Sequence, residues 1–161
     1  RQLIEPAAAA LAARRATRDE VEAIMAVAGR LPLVSTEAST ADDVVYHTSI
    51  MRASHNTILA GFAPSMEVLL RAYFSAIWRI RPHGPHFEAP RNLHQALAAA
   101  IAAREPKAAR DIMDEMLEAN ARELDDVVWL FEAGLKEASA SSAHLELRKR
   151  LEDASAMFML D

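Results

Sequence analysis

Pro106-Lys107-Ala108-Ala109-Arg110-Asp111-Ile112-Met113-Asp114-Glu115-Met116-Leu117 carries its apolar residues at helical spacing. Ala109, Ile112, Met113, Met116 and Leu117 recur at i, i+3, i+4, i+7 and i+8, which draws one apolar stripe on an α-helix. Pro106 suits the first turn, where its missing N–H has no intrahelical partner to lose. The pattern continues through Leu124 and Val128 to Phe131, and Gly134 is the expected stop.

Working back from this segment, every periodic stretch has the same character. Arg1 to Arg15 reads as a helix with Leu3, Ile4, Ala7, Ala8 and Leu11 on one face. Thr17-Arg18-Asp19-Glu20 is a capping box that opens a second helix to about Arg30. Leu31-Pro32-Leu33 breaks it. Ser39 or Thr40 caps a third helix, which runs to about Ser54 with Asp42 and Asp43 in its first turn, where acidic groups are favoured. A fourth spans Asn56 to Ile80, with Pro64 early in it. Arg81-Pro82-His83-Gly84-Pro85 is a breaker, and Pro90 opens a fifth helix holding His94, Leu97 and Ile101. Ser139 to Ser142 reads as a linker, and His144 to Met159 as one more amphipathic helix. The fold class expected is all-α, an antiparallel bundle of six to seven helices. Residues 1–136 form the main domain, and 137–161 add a linker and a helix.

Composition narrows the functions. The 161 residues are 52% hydrophobic and 25% charged, with only 4 Gly, which suits one soluble helical domain. The chain starts at Arg1 without an initiator Met and reads as part of a longer one. No apolar run approaches the roughly 18–20 residues of a membrane span. There is no Cys, so thiol nucleophiles and thiolate metal sites are excluded, and a reducing cytoplasm suits the chain. A net charge of −5 argues against a nucleic-acid surface on this segment. No phosphate-binding glycine loop or nucleophile elbow is present.

Asp42-Asp43-Val44-Val45-Tyr46-His47 holds the residues that could carry chemistry. Asp43 and His47 are four apart and share a helix face. His94 stands on a later helix among Ala and Leu. Together they can hold one divalent ion or one polar ligand. The plainer alternatives are an exposed ion pair and a core histidine. Arg71 lies within Leu69-Leu70-Arg71-Ala72-Tyr73-Phe74, where an inward guanidinium would match a carboxylate and where Glu67 at i−4 is the competing partner. Trp78, seven residues on, shares its face.

Several segments then resemble one family in order. Arg1-Gln2-Leu3-Ile4-Glu5-Pro6-Ala7-Ala8 resembles the start of the FCD domain, the C-terminal effector-binding domain of FadR-type GntR-family transcription regulators. Asp43-Val44-Val45-Tyr46-His47 is similar to its Asp-x-x-aromatic-His element, and Ala53-Ser54-His55-Asn56-Thr57-Ile58-Leu59 to its following turn. His94 with Leu97 and Ile101 resembles the next histidine helix, and Lys107-Ala108-Ala109-Arg110-Asp111-Ile112-Met113 the last one. In that family one Asp and three His commonly hold a divalent metal such as zinc, with an organic acid against it. The resemblance carries over Asp43, His47 and His94; the last histidine falls on Met116, a poor ligand for a hard ion. Direct hydrogen bonding of the effector by the same trio is the alternative. The departure at Met116 is similar to the sugar-acid-responsive, galactonate-regulator-like members.

The resemblance implies a cytoplasmic ligand sensor, not an enzyme. It would bind a small carboxylate through Arg1, Arg71, Trp78, Asp43, His47 and His94, and would act on DNA through an N-terminal winged-helix domain absent from this sequence. A homodimer with no membrane partner is expected. Two other readings stand beside it: a metal-dependent helical-bundle enzyme, and a ligand-free dimerisation module.

Overall fold

The structure, a computed structural model, describes residues 1–31, 40–80 and 90–137, with side chains described except at 75–80, 90–92 and 122–137. Its helices are α1 (Glu5–Arg15), α2 (Arg18–Arg30), α3 (Thr40–Ala53), α4 (Thr57–Ile80), α5 (Pro90–Ala102) and α6 (Pro106–Glu137). The described residues contain no strand, as the helical periodicity requires. The seventh helix expected over 144–159 lies outside the described residues.

Local chemistry sets most of the boundaries. Thr17 and Glu20 form the reciprocal capping box at the start of α2. Asn56 caps α4, its Oδ1 accepting from the backbone N–H of Ile58 and Leu59 at 3.0 and 3.2 Å. Pro64 lies inside α4 without ending it. Gly134 does not stop α6, which runs on to Glu137. A single glycine costs a helix interior only about 1 kcal/mol relative to alanine, too little to end a helix by itself.

The first helix differs from its reading in start and face. Gln2 to Ile4 form a turn, and α1 proper begins at Glu5 with Pro6 in its first turn. Its buried line is Glu5, Ala8, Ala9, Ala12 and Ala13, while Leu3 is 94% exposed. The reason is packing. Alanines let neighbouring backbones approach closely, and α1 packs against α3, α5 and α6 at once. Helix α2 packs on α3 and α5, and α4 lies chiefly along α3. The main core joins Ala9, Ala12, Ile24, Tyr46, Ile50, Leu97, Ile101, Met113 and Met116, drawn from α1, α2, α3, α5 and α6. A smaller cluster of Ala8, Val44, Met51, Ala63, Met66 and Leu70 fixes α4 to α1 and α3. The site lies where α1, α3 and α5 meet.

Candidate metal and ligand site

Asp43 sits in the first turn of α3 and His47 one turn further along it, so both project on the same side. His94 is in the second turn of α5. All three are buried, at 5%, 1% and 4% exposure. One ligand atom from each lies within 4.8 Å of the others. The structure therefore brings together the three residues that the sequence singled out.

Tyr46 holds the two helices in register. Its ring is fully buried, and its hydroxyl donates to the His94 carbonyl at 2.8 Å. The ring stands edge-on to both imidazoles, with centroids 5.6 Å from His47 and 4.9 Å from His94. Burial, reinforced by the charge of Asp43, pushes the Tyr46 hydroxyl well above its ordinary range. It therefore stays a neutral donor throughout the physiological range.

His94 Nε2 and Asp43 Oδ1 face each other at 3.0 Å. The contact is an ion-pair approach rather than an aligned hydrogen bond, because Asp43 Oδ1 is buried and accepts none among the described residues. A buried carboxylate oxygen left in this way costs about 1–3 kcal/mol, and a bound cation would offset that cost. One carboxylate and two imidazoles are also a donor set suited to zinc and similar divalent ions. On both counts the residues present fit a metal.

Glu5 is the residue that the sequence reading did not single out. It is fully buried at the start of α1. Its Oε2 lies 2.7 Å from His47 Nδ1, and its Oε1 lies 2.5 Å from Arg1 Nε. Burial alone would push the carboxyl up, but His47 and Arg1 pull it far below the carboxylate range. Burial pushes His47 the other way, toward the neutral ring, and Arg1 adds to that while Glu5 opposes it. A charged Glu5 beside a neutral His47 is consistent with both directions, because the Arg1 guanidinium is always charged. The available signal was periodicity. Glu5 is followed at i+3, i+4 and i+7 by Ala8, Ala9 and Ala12, so it shares the face that those alanines bury.

Arg1 reaches the same place and is only 14% exposed. Its Nη2 is 3.5 Å from His47 Nδ1 and 3.3 Å from Nε2. A partner on the lone pair of one ring nitrogen would be much farther from the other. The guanidinium therefore lies along neither lone pair. It also stands over the Tyr73 ring, 5.6 Å from the centroid.

The other expected residues lie elsewhere. Arg71 does not face inward, which corrects the sequence reading. Its side chain is half exposed and bonds Glu67 at 2.9 Å, the i−4 partner. Arg71→Ala should therefore change stability by no more than about 0.5 kcal/mol, as at most exposed positions. Urea denaturation checks it; a loss above 2 kcal/mol would place Arg71 in a structural role. Trp78 belongs to α4, but its side chain lies outside the described residues. Met116, at the fourth family position, is buried in the apolar core with Tyr46 and Leu97. His55 is an exposed turn residue paired with Glu20 at 2.8 Å.

Comparison with known proteins gives the same direction. The family model described as the FCD domain matches residues 1–119. The galactonate operon transcriptional repressor of Escherichia coli (strain K12) is 29% identical over 131 residues, covering 79% of this chain. The chain spans 56% of that relative's length.

Proposed function

Because the chain belongs to the FCD domain family, we propose that it is the ligand-sensing part of a bacterial transcription regulator. It takes a small carboxylate of the sugar-acid class at the site of Asp43, His47 and His94. The observation that carries this reading is the convergence of three buried ligand atoms within 4.8 Å beside the Arg1 guanidinium. The relative whose name refers to a galactonate operon makes aldonic acids the first class to test.

Asp43, His47 and His94 would hold the divalent ion, zinc being the best fit to the donor set. Bound there, the ion supplies a concentrated positive charge to which a carboxylate or hydroxyl oxygen can coordinate. With a thioether at position 116, the described residues offer three ligands, and the remaining coordination would fall to the effector or water. Arg1 supplies the second positive group near the site. Arg71, exposed and occupied by Glu67, is not part of this proposal.

Sensing rather than catalysis suits the neighbouring groups. The Thr48, Ser49 and Ser54 hydroxyls donate to the backbone carbonyls of Val44, Tyr46 and Met51. Tyr46 is committed to the His94 carbonyl. Among the described residues, these hydroxyls donate to backbone carbonyls rather than to a base that would make them nucleophiles. The regulator would work in the cytoplasm as a homodimer and reach DNA through an N-terminal winged-helix domain. Regulation follows if the effector binds the DNA-competent and DNA-incompetent states with different affinity.

Titration calorimetry of the 161-residue chain with galactonate and a panel of aldonic acids, with and without zinc, tests the reading. Saturable binding of at least one acid, strengthened by zinc, is expected. Zinc binding with no affinity for any small carboxylate would overturn the effector assignment.

A further inference from the structure

The inference concerns Glu5 and rests on the metal reading above. We propose that Glu5 is the positioning residue for His47: its buried carboxylate fixes the Nδ1–H tautomer of the ring, so that Nε2 presents its lone pair to the ion. An ionised carboxylate only accepts hydrogen bonds. At 2.7 Å from Glu5 Oε2 a lone pair on His47 Nδ1 would be repelled, so the hydrogen of the neutral ring sits on Nδ1. A neutral imidazole then has its acceptor at Nε2. Arg1 does not consume that lone pair, because its Nη2 sits at nearly equal distances from both ring nitrogens.

Arg1 has a different part. It binds both Glu5 oxygens, at 2.5 and 3.3 Å, and so keeps the carboxylate charged and aimed while it is buried. The order is guanidinium, carboxylate, imidazole, ion. Metal-ligating histidines commonly give their other N–H to a carboxylate, and loss of that partner typically lowers metal affinity about 10- to 100-fold. Here the partner comes from a different helix. Glu5 opens α1, whereas His47 is on α3. Nothing in the Asp43–His47 spacing points to it.

Two readouts on Glu5→Gln test the proposal. The substitution is nearly isosteric, and matching circular dichroism will show that the fold is kept. Its carboxamide can turn either its oxygen or its NH2 toward Nδ1, so it no longer dictates the tautomer. In the metal-free chain, long-range proton–nitrogen correlation spectra should show His47 as the Nδ1–H tautomer in the parent and a mixture in the variant. By competition with a chromophoric chelator, zinc affinity should fall about tenfold or more. An unchanged tautomer with affinity within twofold of the parent overturns the proposal. If the parent binds no zinc, the metal reading fails, yet the tautomer comparison still decides what Glu5 does to His47. A merely structural Glu5 would alter thermal stability and leave the ring tautomer alone.

Discussion

Replacing His94 with Ala should abolish stoichiometric zinc binding, with affinity falling more than about 100-fold, beyond the loss expected for an outer partner. His94 is the residue that α5 brings to the site, and without it Asp43 and His47 make an ordinary i,i+4 pair on a single helix. Asp43→Ala should do the same from the other side of the 3.0 Å contact. Both variants should fold, because the Tyr46 hydroxyl bonds the backbone carbonyl of residue 94 and the core packing of Leu97 and Ile101 is kept. The measurement is metal content after dialysis against a zinc buffer, with the melting temperature recorded in zinc and in chelator. The parent should gain stability from zinc and the variants should not. Retention of one zinc per chain by a folded His94→Ala protein would remove the residue from the site.

The second large effect is on stability. Leu97 is fully buried on α5, within the core shared by α1, α2, α3, α5 and α6. Leu97→Ala leaves a cavity that rigid neighbours fill only in part. The expected loss is about 2–5 kcal/mol, which at roughly 2–4 °C per kcal/mol lowers the melting temperature by about 4–20 °C. Zinc should recover part of the loss, since an ion that binds only the folded state stabilises it by mass action. Calorimetry with and without zinc checks both statements. A drop of less than 1 kcal/mol would mean that α5 is not seated as described, and His94 would lose its support with it.

Much of this was legible because helices write their faces into sequence. Asp43 and His47 needed only the four-residue spacing, and Thr17 with Glu20 needed only the capping box. His94 could not be tied to them by periodicity, since a lone histidine among alanines reads the same in a core and in a site. The order of family motifs made that link. Arg71 was misread for a physical reason. Leu69 and Leu70 precede it and Ala72 follows it, but Leu70 is buried, on the line of Ala63 and Met66, while Leu69 is 49% exposed. Successive residues turn by about 100°, so apolar neighbours on both sides of a residue do not reveal its direction. Glu5 was missed because an ionised side chain followed by proline looks like an exposed helix start. The two partners that make its burial tolerable are a residue before the helix and a histidine on α3.

The central claim is that α1, α3 and α5 converge to build one cation site. Anomalous diffraction at the zinc edge, from crystals of the 161-residue chain grown with zinc, tests it most directly. One strong peak per chain is expected, at about 2.0–2.2 Å from a carboxylate oxygen of Asp43 and from one ring nitrogen each of His47 and His94, with Glu5 still on His47 Nδ1. A peak only at surface residues, or no peak beside these three while they remain buried together, would contradict it.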